Sequence, residues 1–264
     1  MKTIGYKIKI AVLILLATGG VVWFAMALEH RHFVMHALPK KQVTTEKKPE
    51  ITYDSVLLMK FTGTIRSLDF NRHPCTYAGV INLDDPNDTT NTVHHLNFQF
   101  CRAGDDYYYR LGNTEMIHQG KLDLFVTNDQ RKVVISSKPI EMKPPVQDFN
   151  LMVKTLRSES YALTSSLKGS KQTLSLINEH HLSCKELSVT LDTASGKLER
   201  IYSRMTDIGS PMDKGKERTL DVQISEISGN ADRSLYTNAR DVVRMKDGKW
   251  VLNGKYSTYE LIML

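Results

Sequence analysis

The feature that most constrains the fold is a two-residue alternation of apolar and polar side chains from about residue 54 onward. A period of two places every second side chain on the same face of a β-strand, which gives each strand one apolar and one solvated face. Three runs show the alternation clearly: Leu96, Phe98 and Phe100; Leu187, Val189 and Leu191; Leu220, Val222 and Ile224. Turn-forming pairs such as Gly112-Asn113 and Asn253-Gly254 separate such runs, which predicts antiparallel hairpins.

Residues 94–137 are expected to form about five consecutive strands, because no helical pattern intervenes that a parallel α/β sheet would need. A short helix is predicted over 146–156, after Lys143-Pro144-Pro145. Residues 52–61 read as a helix or, equally, as a strand. The predicted fold class is mainly β: a single curved antiparallel sheet, an open half-barrel, with one or two short helices, forming one domain over 54–264.

A run of 19 uncharged residues, Ile10–Leu28, precedes this domain and matches the length of a transmembrane helix. Lysines precede this segment and Glu29 follows it. This charge distribution favours an orientation with residues 1–9 in the cytoplasm and the body in the periplasm, across the inner membrane. A small-x-small pattern at 25–27 leaves signal-peptide cleavage after Ala27 open, although a retained signal-anchor is favoured. Residues 29–53, with their lysines and prolines, are expected to form a linker.

The net charge of +6 belongs to the N-terminal segment. Residues 1–49 hold eight Lys and Arg against two Asp and Glu, whereas the remaining residues hold 27 of each. A body without net charge has no general cationic field for phosphates, so nucleic acid is not an expected partner.

Catalytic and metal-binding signatures are missing from the sequence. It has neither the Gly-x-Ser-x-Gly motif of a nucleophile elbow nor a Gly-x-x-x-x-Gly-Lys phosphate loop. The paired histidines at 94–95 and 180–181 would point to opposite faces of a strand, so neither pair chelates a metal by itself. We therefore expect a binding protein without catalytic residues, cofactor or metal, while an enzyme with a cleft of converging carboxylates or histidines remains the third possibility.

Three cysteines are too few for a disulfide scaffold. In an oxidising compartment Cys75 and Cys101 could pair across neighbouring strands, and buried thiols are the alternative.

Several stretches resemble the family of periplasmic outer-membrane lipoprotein carriers, which are open β half-barrels with a short helical lid. The resemblance lies in strand pattern and turn placement over 105–117, 120–126, 132–136, 187–201, 220–227, 249–252 and 256–261. It implies a concave apolar surface that can hold acyl chains, in a body outside the inner membrane. The expected retained anchor departs from the family, whose carriers are released from the membrane as soluble proteins. An anchored chain cannot carry cargo across the envelope by diffusion, which puts a shuttling role in doubt.

The expected function is recognition of an apolar ligand, a lipid or an acylated protein, in the concavity of the sheet. The candidate lining residues are Leu96, Phe98, Phe100, Leu122, Leu124 and Val126. A filled hydrophobic core would use the same residues. The competing expectation is an accessory subunit of a membrane-spanning secretion or envelope complex, which recruits partner proteins by sheet addition at an exposed strand edge.

Overall fold

The computed structural model describes residues 52–67, 74–90, 92–136 and 156–264. Most of these residues form strands, and the α-helical segments include α1 (Ser55–Arg66), α2 (Ala239–Val242) and residues 156–158. The strands are β1 (Cys75–Asp84), β2 (Val93–Ala103), β3 (Asp106–Leu111), β4 (Thr114–Gln119), β5 (Leu122–Thr127), β6 (Lys132–Ser136), β7 (Ala162–Lys168), β8 (Lys171–Ile177), β9 (Cys184–Asp192), β10 (Leu198–Met205), β11 (Arg218–Ser228), β12 (Val243–Lys246), β13 (Lys249–Leu252) and β14 (Glu260–Met263).

Twelve strands form one sheet in the order β14-β6-β5-β4-β3-β2-β1-β11-β10-β9-β8-β7, and β12 and β13 form a separate hairpin. The mainly β class and the large antiparallel sheet with few short helices are confirmed, and the sheet is not closed. The predicted meander is also present, because β2 to β6 follow one another in chain order and in space. The sheet is not wholly antiparallel, since β14 runs parallel to β6.

Tight turns join the strands of the meander. Gly104 and Gly120 adopt φ values of +63° and +62°, a left-handed conformation that glycine reaches without a Cβ penalty. Asp106 fixes the second turn, because its Oδ1 accepts the N–H of Gly120 at 2.9 Å. The local turn chemistry therefore sets which strands are neighbours.

The region at 52–61 forms a helix rather than a strand: α1 begins at Ser55 and continues to Arg66. Asp54 caps its first turn by accepting the backbone N–H groups of Val56 and Leu57 at 2.8 and 3.2 Å. Leu58, Phe61 and Ile65 are buried at helical spacing along one face.

The predicted single domain divides into two compact units. One contains α1, β7, β8, most of β9, the second half of β10 and the loop after it; the other contains β1–β6, residues 191–201 and the C-terminal elements from Thr219. Each unit is assembled from segments that are distant in the sequence.

No helix in the described part of the chain is long and apolar enough to cross a membrane. The predicted anchor at 10–28, the possible cleavage after Ala27 and nearly all of the linker lie outside the described residues. The same is true of the helix predicted over 146–156, apart from Leu156.

Candidate functional site

The predicted lining residues lie on two opposite faces of the sheet. Residues opposite each other in paired strands share a face, and the register runs from Phe100 through Tyr109 and Met116 to Phe125. Leu124 precedes Phe125 and therefore points the other way. The structure brings together Leu96, Phe98 and Phe100 on what we call the Phe100 face, and places Leu122, Leu124 and Val126 on what we call the Leu124 face.

The Leu124 face is filled by the chain's own C-terminal segment. Leu124 and Val126 are at most 1% exposed, and they belong to one hydrophobic core with Val242 and Tyr256, while Leu122 packs against its edge. Other members of this core are Tyr108, Ile117, Val133, Ile135, Ala239 and Val243. On this face the residues act as a core rather than as the lining of an open cavity.

A row of aromatic rings follows the Phe100 face across four strands. The ring of Phe100 lies 6.1 Å from that of Tyr77 and 6.5 Å from that of Tyr107, and the Tyr107 ring stacks on His118 at 5.1 Å. Phe98 and Phe100 are 4% and 1% exposed. Leu96 is half-buried and covers Gly112, where an added Cβ would lie 2.6 Å from Leu96 Cδ1.

The row ends at a buried polar pair. His118 Nδ1 lies 2.6 Å from Asp123 Oδ1, and the side chains are 16% and 5% exposed. Burial and the nearby Asp123 raise the pKa of Tyr107 to about 12, so its hydroxyl stays protonated. The Phe100 face therefore combines a continuous apolar row with one polar end, an arrangement suited to an amphipathic ligand or to a well-satisfied core.

A buried carboxylate on the Leu124 face was not predicted from the sequence. Glu115 is 4% exposed; its Oε2 accepts the Tyr108 hydroxyl at 3.0 Å, and its Oε1 accepts Asn128 Nδ2 at 2.8 Å. Asn128 Oδ1 in turn accepts the Tyr259 hydroxyl at 3.1 Å. Burial first, and then Glu115, raise the pKa of Tyr108. The network joins the meander to the C-terminal segment and leaves Glu115 well satisfied.

The cysteines are buried thiols in the structure. Cys101 lies opposite Thr76, so Cys75, the neighbour of Thr76, points to the other face of the sheet. The Cys75–Cys101 disulfide, which the sequence left open beside buried thiols, would therefore need a change of register.

Among the histidines that the structure describes, His181 makes the most hydrogen bonds. Its Nδ1 accepts the backbone N–H groups of Ser183 and Cys184 at 3.2 and 3.1 Å, so Nε2 donates to Glu159 Oε2 at 2.9 Å. The Ser183 hydroxyl also lies 3.2 Å from Nδ1, which superficially places serine, histidine and glutamate in series. Because two backbone N–H groups already use the Nδ1 lone pair, the geometry favours a cap of the loop over a general base.

The most extensive charge network of the described residues joins strands β9 and β10 to the neighbouring loops. Arg204 donates to Glu217 Oε2 at 2.8 Å and also bonds Glu179, while Lys185 Nζ donates to Glu217 Oε1 at 2.7 Å. Lys185 and Glu217 are 3% and 5% exposed, so the pair is buried. Within the described ranges, no group of three or more His, Cys, Asp or Glu side chains is placed to hold a metal ion.

Among the described residues, β7 forms one end of the twelve-strand order and pairs on one side only, with β8. The turn at Gly169-Ser170 makes Lys168 and Lys171 the first hydrogen-bonded pair of the hairpin. Every second residue of β7, counted back from Lys168, therefore bonds β8 through its backbone. The backbone N–H and C=O groups of Leu163, Ser165 and Leu167 consequently face away from β8. Six of the seven residues of β7 are exposed, and Leu167 retains 68% of its accessible surface.

The other end of the sheet is shorter and carries charge. β14 has four residues, and Glu260 pairs with Lys132 at 3.3 Å. β7 has seven residues, contains no proline, carries a charge only at its last position and keeps an unbroken register with β8. Natural edge strands are commonly blunted by shortness, charge, proline or bulges, and β7 uses little of this protection.

Neither a family model nor a curated protein matches this sequence.

Proposed function

We propose that this chain is a non-catalytic, membrane-anchored envelope protein whose body recruits a partner protein by strand addition at β7. In this proposal residues 10–28 hold the chain in the inner membrane, and the β body lies in the periplasm as an accessory subunit of an envelope complex. The observation that carries it is the seven-residue outer edge of β7, charged only at Lys168, with three outward pairs of backbone groups that an extended segment can bond.

Site-specific photo-crosslinking in the host tests this proposal on the full-length chain. A photoreactive residue at Leu167 probes β7, and one at Leu235, which is 75% exposed in another part of the molecule, is the matched control. We expect a discrete protein adduct from position 167 and none from position 235. Equal adducts from both positions would indicate random collision and would contradict the proposal.

A proline variant separates edge pairing from general contact. Ser165→Pro removes an outward N–H while keeping every N–H that bonds β8, a position where edge strands tolerate proline. The adduct from position 167 should disappear in Ser165→Pro and persist in Ser165→Ala, with unchanged urea unfolding midpoints in both. An adduct that survives the proline would exclude strand addition as the mode of binding.

The second candidate function is recognition of an apolar ligand on the Phe100 face, in line with the resemblance to lipoprotein carriers. The aromatic row of Tyr77, Phe100 and Tyr107 with its polar end at His118 favours it, as does the open order of the sheet. Native mass spectrometry of the full chain in mild detergent should then show a lipid-sized adduct that is lost on denaturation. Phe100→Ala should reduce this adduct, whereas Leu235→Ala should not; a chain that carries no adduct would overturn the candidate.

A further inference from the structure

Two neighbouring loops present three large apolar side chains to solvent. Leu182, Ile208 and Met212 retain 60%, 75% and 77% of their accessible surface. They lie in the segments 178–183 and 206–217, which we call the Met212 tip. Single exposed apolar residues are common on protein surfaces, but three on two hydrogen-bonded loops make this region a candidate interaction surface.

Hydrogen bonds join the two loops. Thr206 donates its backbone N–H to the Ser183 carbonyl at 3.0 Å and its hydroxyl to the His181 carbonyl at 2.8 Å. The buried ammonium of Lys185 holds the longer loop by donating to the Pro211 carbonyl at 2.8 Å. The apolar side chains therefore project from a fixed backbone, so little ordering of the loops is needed on binding.

The charges of the Met212 tip do not select an acidic or a basic partner. Lys214 and Lys216 are offset by Asp207 and Asp213, which cap turns through the N–H groups of Gly209 and Gly215. Glu217 is neutralised by Lys185 and Arg204. An occupant of this surface would be held mainly by burial of apolar groups.

We propose that the Met212 tip docks on the lipid bilayer and inserts Leu182, Ile208 and Met212 at its interface. The inference rests on the proposed anchor at residues 10–28. A linker over 29–53 spans at most about 90 Å when fully extended, so the anchor keeps the bilayer permanently within reach of the body. Apolar side chains on loop tips can insert into the bilayer interface without a complementary pocket, because lipids rearrange around them.

The test uses the full chain reconstituted in phosphatidylethanolamine and phosphatidylglycerol vesicles. An environment-sensitive fluorophore is attached at Met212→Cys, and Leu235→Cys is the matched exposed apolar control. The native thiols are buried, and burial raises the pKa of Cys184 to about 12, so labelling falls on the introduced cysteine. Lipid-borne quenchers at shallow depth report contact with the bilayer.

We expect the label at 212 to be quenched several-fold more than the label at 235, and equally at low and high salt, because the contact is apolar. Combined Leu182→Ser and Ile208→Ser substitutions should remove most of the quenching. Equal quenching at both sites would overturn the proposal. A label at 212 whose emission is blue-shifted but not quenched by the lipid-borne quenchers would also overturn it, because this combination indicates contact with a protein. Flotation of the vesicles tests the anchor separately, because a chain that floats with an unquenched label at 212 fails only the docking proposal.

Discussion

Lys185 Nζ lies 2.7 Å from Glu217 Oε1, and both side chains are almost completely buried. Arg204 reaches the second oxygen of Glu217 at 2.8 Å, so one buried carboxylate is shared by two cations. Lys185 also donates to the Pro211 carbonyl, which couples this ion pair to the loop that carries Met212. The loops beyond β8 and β10 are therefore fixed by charges that can be altered one at a time.

Glu217→Gln is expected to destabilise the protein strongly. The substitution keeps the shape of the side chain but leaves Lys185 and Arg204 without their shared counter-charge, and removing one partner of a buried pair costs about 3–5 kcal/mol. Urea unfolding, followed by circular dichroism, measures the change in the free energy of unfolding.

Asp221→Asn is the matched control. Asp221 pairs with Arg200 at 2.6 Å near the surface, where the arginine side chain is 47% exposed, so its loss should cost at most about 1 kcal/mol. Equal shifts in the two variants would show that the Glu217 pair gains nothing from burial.

Acid should weaken the same network. Burial tends to raise the pKa of Glu217, but hydrogen bonds from Lys185 and Arg204 outweigh it and hold this pKa below the ordinary 4.5. The pKa of Glu179 is also lowered, first by its hydrogen bond from Arg204. The stabilisation is therefore fully present above 4.5 and is lost as the pH falls through the folded-state values.

Urea titrations between about pH 3 and pH 7 should show the free energy of unfolding falling on the acid side. Glu217→Gln should show a smaller loss than the wild type, because one of the two carboxylates with a lowered pKa is gone. If the two proteins lose stability in parallel, the acid sensitivity arises elsewhere.

The thiols offer a test that also decides on the disulfide. Burial raises the pKa of Cys101 and takes that of Cys184 to about 12, and Cys75 is 1% exposed. We expect no reaction with a thiol reagent in the native protein near pH 8, and three equivalents after unfolding without reductant. One equivalent after unfolding would instead show that two of the three cysteines form a disulfide, and peptide mapping would identify whether the pair is Cys75–Cys101, which requires a register different from the one described.

The sequence was sufficient to predict the β2–β6 meander, because short turns and two-residue alternation are local signals. It did not reveal that Phe100 and Leu124 lie on opposite faces. Both faces of these strands are buried, so an apolar side chain does not indicate the side to which it points. Which residues of neighbouring strands share a face depends on how the strands pair. Alternation within a single strand gives no information on this pairing.

Contacts between different strands explain the other differences. Neither Glu115 nor Asp123 was singled out from the sequence, yet both are 4% exposed, because Asn128, Tyr108 and His118 satisfy them. The parallel pairing of β14 with β6 joins residues 260–263 to 132–135, a contact with no local signal.

Gly79 is expected to be intolerant of any side chain. It lies in β1 beside a register shift relative to β11, and an added Cβ would approach the Gln223 carbonyl oxygen to 2.1 Å and Phe98 Cε1 to 2.8 Å. Because a backbone atom makes the closer contact, Gly79→Ala must displace β1 from β11, at a cost of about 1–3 kcal/mol or more.

The matched substitution is Gly63→Ala in α1, where nothing lies within 4 Å of the new Cβ. Alanine should stabilise the helix interior by about 0.5–1 kcal/mol. Urea unfolding midpoints should therefore move in opposite directions, and a neutral Gly79→Ala would show that β1 and β11 are not as closely paired as the register indicates.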